Sequence, residues 1–190
     1  MSKRFRVLGA RISDIERALK LAGVSDGSAK VIEIGSGDGR DAIEIIERVS
    51  SYIGVEPSKG LLEIARKDFP SVHFVEATAQ DYDFPDDIDV VYAFASVLHL
   101  GAHDLAQLFS RISHSLKSGG IFYISTKESD AYRPELKEDV WGLRQFYLYS
   151  EQELMDMAGT QFTKVYVSRQ LKEGTGGETT HWITIAFKKQ

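Results

Sequence analysis

The stretch Val31–Arg40, VIEIGSGDGR, sets three alternating glycines, Gly35, Gly37 and Gly39, among the carboxylates Glu33 and Asp38. Glycine in such a turn signals positive φ, or another group approaching where a Cβ would collide. The acidic residues would repel a pyrophosphate and accept a ligand that carries positive charge. Glu56 ends the next apolar run, where a carboxylate can accept hydrogen bonds from both hydroxyls of a ribose, a use common to several adenosine-binding sites. The dinucleotide fingerprint, Gly-x-Gly-x-x-Gly, needs its third glycine at position 40. That position is Arg40, so a nicotinamide or flavin dinucleotide is disfavoured.

Further along, His99 in ASVLHL could take a proton from an acceptor or orient it, or could simply hydrogen-bond local backbone. His99 and His103 have the spacing of a metal pair on a helix, but Gly101 interrupts it and a third ligand is missing, so no metal is expected. His73, His114 and His181 fall in strand or helix patterns and read as structural. The segment Lys127–Tyr149 concentrates Tyr132, Arg133, Trp141, Arg144, Phe146, Tyr147 and Tyr149. Such a mixture can close over an acceptor and exclude water, or pack as a stem on a sheet edge. The acceptor-binding reading places Tyr132, Arg144 and Tyr147 on the substrate together with His99.

These groups need elements to position them. Ile15, Ala18, Leu19 and Ala22 repeat at helical spacing and predict a helix over 13–24, capped by Ser13 or Asp14. Val31–Ile34 reads as a buried strand and the residues after the glycines as a helix, with Asp38 as a cap facing water. A strand over 52–56, a helix over 58–69 with Ser58 at its cap, and strands over 72–77 and 88–95 follow. Leu105, Leu108, Phe109, Ile112 and Leu116 mark another helix, stopped by Ser118, Gly119 and Gly120 before a strand over 121–126. Five alternations of strand and helix predict a doubly wound α/β fold, because parallel neighbours need helical crossovers. Residues 127–149 read as a long irregular insertion. A helix over 150–158 precedes two alternating runs around Gly-Thr-Gly-Gly, a C-terminal antiparallel hairpin over 162–188 that completes a seven-stranded, mostly parallel sheet.

Composition narrows the classes. The 190 residues fit one domain, 1–190, with a substantial core. There is no cysteine, which removes disulfides, thiolate metal sites and cysteine nucleophiles. A formal net charge of -5 argues against a broad nucleic-acid footprint. The basic cluster Lys3, Arg4, Arg6 and Arg11 reads as a solvated helix face. With neither a secretory signal nor a long apolar run, the expected location is the cytoplasm, with no membrane contact.

In order, VIEIGSGDGR, GVEPS, FVEATAQDYDF, DVVYAFASVLHL and LKSGGIFYIS resemble the successive motifs of the class I S-adenosylmethionine-dependent methyltransferases, densely from Ala29 to Thr126 and loosely elsewhere. The resemblance implies that family's Rossmann-like fold and S-adenosylmethionine as cofactor. It implies that Glu33, Gly35, Ser36, Gly37 and Gly39 shape the methionine pocket. Glu56 and Pro57 would hold the ribose, and Thr78, Ala79 and Gln80 would frame the adenine. Many relatives carry Asp where Thr78 stands. Phe94 and Ala95 would form the floor beneath the methyl group.

Methyl transfer from a sulfonium is a direct displacement, so alignment dominates and a base is needed only for an acceptor proton of high pKa. The expected enzyme methylates a small molecule. An RNA or protein acceptor, or a cofactor-binding regulatory module without turnover, are the alternatives.

Overall fold

A computed structural model describes residues 9–139, 142–173 and 179–190. Lys3, Arg4, Arg6, Trp141 and the Gly-Thr-Gly-Gly loop lie outside the described residues. The order is α1 (Ile12–Ala22), β1 (Lys30–Ile34), α2 (Ala42–Ile46), β2 (Ser51–Glu56), α3 (Lys59–Asp68), β3 (Phe74–Glu76), β4 (Ile88–Phe94) and α4 (Ala102–Ser115). After these come β5 (Leu116–Lys127), β6 (Arg133–Asp139), β7 (Gly142–Leu148), α5 (Glu151–Ala158), β8 (Phe162–Glu173) and β9 (Thr179–Lys189).

Seven strands form one sheet in the order β3-β2-β1-β4-β5-β9-β8, in which β9 runs antiparallel to both its neighbours. The first three strands step outward one way, and the chain then returns to place β4 on the other side of β1. A crevice opens at the carboxyl ends of β1 and β4, where ligands bind in doubly wound sheets.

All seven residues of β4 are buried, as expected for a strand covered on both faces. Val91 and Ala93 pack with α4 and α5 through Leu105, Leu108, Phe109 and Leu154. Val90, Tyr92 and Phe94 face α1, α2 and α3 through Ile15, Ala18, Ile45 and Leu62. Asp89 is the polar exception in this strand. Its carboxylate accepts from the backbone of Lys30 at 2.8 Å and from Lys117 Nζ at 2.7 Å, which fixes the starts of β1 and β5 beside β4 and satisfies the buried charge.

The first helix begins without a side-chain cap. Ser13 and Asp14 fall inside its first turn, and Asp14 accepts from Tyr123 Oη at 2.7 Å and from Arg17 at 3.0 Å instead. Tyr92 Oη donates to the carbonyl of Ile15 at 2.7 Å. Two sheet tyrosines thus hold this helix in place of its own cap. It ends at Gly23, in the left-handed conformation, so it stops short of Val24.

The expected irregular insertion is a regular antiparallel ribbon. Its strands pair from Arg133↔Leu148 to Asp139↔Gly142. Alternation failed as a signal because Leu136 and Leu143 are exposed, leaving no continuous apolar face to read. A capping box holds the following helix: Ser150 Oγ accepts from the amide of Glu153, whose carboxylate accepts from the amide of Ser150. Among the described residues no helix is long and apolar enough to cross a membrane.

Phe109 meets Phe122, Phe162 and Phe187 edge-on, joining α4 to three strands. Phe109→Ala removes this buried hub and is expected to cost about 3–5 kcal/mol of unfolding free energy, measured by urea denaturation.

Candidate functional site

The glycine corner lies at the carboxyl end of β1, where the amides of Gly35 and Ser36 both donate to the carbonyl of Val55. Gly35 and Gly37 have φ of 75° and 59°, in the region that L side chains rarely occupy. Their surroundings differ. A Cβ on Gly35 would lie 2.5 Å from Ser96 Cβ, whereas one on Gly37 would meet nothing within 4 Å. Gly35 thus admits the chain's own β4 end, and Gly39 packs against Phe69 in the same way. Gly37 is the one of the three whose missing side chain leaves open space.

Glu56 binds this corner to the second strand. Its Oε2 accepts from the amide of Gly37 at 3.0 Å and its Oε1 from the amide of Ser58 at 2.8 Å. Ser58 occupies the expected cap position of α3, but its hydroxyl makes no capping bond. The neighbouring carboxylate satisfies that amide. Burial raises the Glu56 pKa, while the two backbone bonds oppose the rise. Each oxygen retains capacity for a further donor.

A cavity of about 440 Å³ opens beside the corner, within the size range of small-molecule sites. Its wall takes in Gly35, Ser36, Gly37, Glu56, Pro57, Thr78, Ala79, Gln80, Phe94, Ala95 and His99. Glu33 and Gly39 lie behind that wall. Asp38 lines the cavity and is buried, not a water-facing cap, because the glycines on both sides turn the loop inward.

Arg11 also lines the cavity rather than a solvated helix face. Its amide donates to Asp41 Oδ1 at 2.8 Å, its guanidinium bonds Asp41 Oδ2, and its plane lies 4.9 Å from the Phe94 ring centre. Arg40 donates to the same carboxylate at 2.9 Å. Behind them Glu33, 2% exposed, accepts from Tyr52 Oη at 2.6 Å. Its pKa is pushed up to about 8, first by burial and next by the nearby Asp41 charge, against the pull of Tyr52 and Arg11. Burial raises Asp41 as well, with Arg11 opposing.

On the opposite wall Arg111 donates to the carbonyls of Ala79 at 2.9 Å, Gln80 at 2.5 Å, and Tyr82. Sequence reading missed this residue, since an arginine on the polar side of a helix announces nothing about carbonyls some thirty positions away. Thr78 Oγ1 donates to Asp81 Oδ2 at 2.6 Å and accepts from its amide at 3.1 Å, so its proton is already engaged. Gln80 reaches Asp104 at 3.2 Å.

The floor is formed by the end of β4. Ala95 has φ of 56°, held by its amide bond to the carbonyl of Ser125 at 2.8 Å. The hydroxyl of Ser96 is buried with no hydrogen-bond partner among the described residues. His99 follows in a short 3-10 turn. Its Nδ1 lies 2.9 Å from the carbonyl of Gln145, and since a carbonyl only accepts, the proton sits on Nδ1 and leaves Nε2 as the basic nitrogen. Burial lowers the His99 pKa, and the cations Arg144 and Lys127 lower it further against the Gln145 bond. His103 bonds Gln107 instead of pairing with His99. Tyr132, Arg144 and Tyr147 lie outside the wall: Tyr132 stacks on Tyr147 at 6.1 Å, Arg144 covers Phe146, and Tyr147 approaches Gly101.

Two outcomes follow from this geometry. The folded chain holds a proton on Glu33 that the unfolded chain releases above its ordinary value of 4.5, so this contribution to stability is full below 4.5 and is lost as pH rises towards 8. Glu33→Gln should flatten that decline in thermal melts recorded across the same range. Arg111→Met should cost about 1.5–3 kcal/mol in urea denaturation and speed amide exchange around residues 79–82.

Residues 31–120 match the family model described as a methyltransferase domain. The trans-aconitate 2-methyltransferase of Acidovorax sp. (strain JS42) is 31% identical over 101 residues, 52% of this chain and 38% of the relative. A ubiquinone/menaquinone biosynthesis C-methyltransferase of Campylobacter jejuni is 26% identical over 114 residues, 58% of this chain and 45% of the relative. The chain spans less than half the length of these curated relatives. Among solved structures, a SAM-dependent methyltransferase from Methanosarcina mazei aligns with a TM-score of 0.76 at 16% identity, covering 86% of this chain and 93% of that one. A putative S-adenosylmethionine dependent methyltransferase from Listeria monocytogenes gives 0.73 at 16% identity, covering 95% and 100%. At such identities the structural likeness is one of fold. Residues 31–120, running through the glycine corner, thus resemble a methyltransferase domain, and the fold built around them is shared with solved S-adenosylmethionine-dependent methyltransferases.

Proposed function

We propose that the cavity binds S-adenosylmethionine and that the chain transfers its methyl group to a small-molecule acceptor. The observation that carries this reading is the pairing of Gly37, open towards the cavity, with Glu56, whose oxygens each have one backbone donor and room for another. The ribose hydroxyls would complete those oxygens. Ala79 and Gln80, braced by Arg111, would frame the adenine through their backbone. Thr78 would be a weaker contact, because Asp81 already holds its proton.

The methionine end fits the acidic corner. Asp38 in the wall favours an ammonium group, Asp41 being shared with Arg11 and Arg40, and the buried Ser96 hydroxyl offers an unfilled hydrogen bond nearby. Phe94 and Ala95 would form an apolar floor that keeps water from the reacting centre.

The cofactor supplies an electrophilic methyl on a sulfonium, so the main demand on the protein is in-line alignment. His99 Nε2 is basic at neutral pH and would accept a proton where the acceptor has one to lose. The names of the matched relatives point to small acceptors, and this chain's acceptor would be of that class. An RNA acceptor draws less support, because Arg11, one of the four cations it would use, is engaged by Asp41.

Calorimetric titration should show saturable binding of both S-adenosylmethionine and S-adenosylhomocysteine. Glu56→Gln should weaken both about ten- to hundred-fold, the value of charge-assisted hydrogen bonds. Failure of the unsubstituted protein to bind either ligand overturns the proposal.

A further inference from the structure

Glu33 is 2% exposed, and among the described residues Tyr52 Oη, at 2.6 Å, is the only hydrogen-bond donor on its carboxylate. The arginines of the corner are engaged elsewhere, since Arg11 and Arg40 both bind Asp41. A buried carboxyl in that position is stable as the neutral acid, because ionising it sets a second negative charge beside Asp41 where water does not screen it. Asp41, with two guanidinium groups and the Arg11 amide on it, keeps the charge of the pair. The rise of the Glu33 pKa to about 8, from burial first and Asp41 next, agrees with this division.

Facing Glu33 are Tyr52 and Glu56 of β2, Tyr92 of β4, Asp41 ahead of α2 and Arg11 ahead of α1. Burial pushes both phenols well up, so they stay protonated through the neutral range. The other three groups also line the cavity. Asp41 and Glu56 oppose ionisation of Glu33, and Arg11 favours it. Charge on the cavity wall is therefore felt at Glu33 behind it, and a cation placed against that wall acts in the same sense as Arg11.

We infer that the acidic corner takes up the ammonium group of its ligand in exchange for the proton on Glu33. This rests on the cofactor reading above. The O–H bond of the Glu33 carboxyl breaks, the proton passes to solvent, and the carboxylate stays behind to face the ammonium. One positive charge enters and one leaves, so the buried cluster keeps its net charge. Without ligand Glu33 holds its proton up to about pH 8. With the ammonium present it loses that proton at lower pH, so protons are released between the two values and affinity rises with pH across that window.

The test is calorimetric titration of the full chain with S-adenosylhomocysteine in buffers of different ionisation enthalpy, beside Glu33→Gln. A ligand that lowers the Glu33 pKa by about one unit should displace about half a proton at about pH 7.5, and raise affinity about tenfold from about pH 6 to about pH 9. Glu33→Gln should lack that half proton and that share of the pH dependence. Both proteins share the ligand's amine and His99, so their difference isolates Glu33. The adenosine thioether 5′-methylthioadenosine, which has no ammonium, should release no proton. Tyr52→Phe removes a hydrogen bond that favours ionised Glu33, so it should move the release to higher pH, and it decides the matter if Glu33→Gln does not fold. Equal proton release from the unsubstituted protein and Glu33→Gln overturns the inference and leaves the cofactor reading standing. Equal release with 5′-methylthioadenosine, or an unmoved profile in Tyr52→Phe, does the same. Failure of the unsubstituted protein to bind S-adenosylmethionine or S-adenosylhomocysteine removes both together.

Discussion

One carboxylate joins the parts of this site. Glu56 accepts from Gly37 on one oxygen and from Ser58 on the other, so a single side chain pins the glycine turn and satisfies the first amide of the helix leaving β2. Neither partner is free to move without exposing a buried charge, which is costly in a low-dielectric setting. The open side of Gly37 and the unsatisfied capacity of Glu56 are therefore presented together. The turn is rigid because Gly35 is wedged on Ser96 and Gly39 on Phe69. The glycines divide the labour, two permitting the protein's own packing and one leaving room for something else.

Much of the scaffold was legible because its signals are local. Strand and helix alternated with apolar runs of the right length, and β4, buried throughout, announced itself by continuous hydrophobicity. The ribbon β6–β7 was not legible, since Leu136 and Leu143 face outward and only Phe146 and Leu148 at one end of β7 are covered, too short a run to impose a pattern. In the site, Glu56 and the glycine corner could be read from type and order. Arg11, Asp38 and Arg111 could not. Arg11 meets Asp41 thirty residues away, Arg111 meets carbonyls from 29 to 32 residues away, and Asp38 is turned inward by backbone conformation rather than by its own character. Partnerships at such separations leave no trace in spacing.

Buried charge is handled differently at each end of the fold. At the base of the sheet Asp89 has a full set of donors and acts as a fixed tie. At the top, Glu33 and Asp41 lie close enough to raise one another's cost of ionisation, with Arg11 and Tyr52 as partial compensation. The first arrangement favours permanence. The second keeps ionisable groups poised where a charged ligand alters their balance, a pattern that physical reasoning associates with working sites rather than with scaffolding.

Glu153 closes the capping box of α5 through Oε2, and through Oε1 it accepts from the amide of Tyr132 just before the ribbon. One side chain thus serves both as a helix terminus and as a latch. Displacing the ribbon's base would release one oxygen of a side chain whose other oxygen steadies the first turn of the helix. The base of the ribbon and the start of α5 are therefore braced by one carboxylate, so a substitution there loosens two elements that lie far apart in the chain.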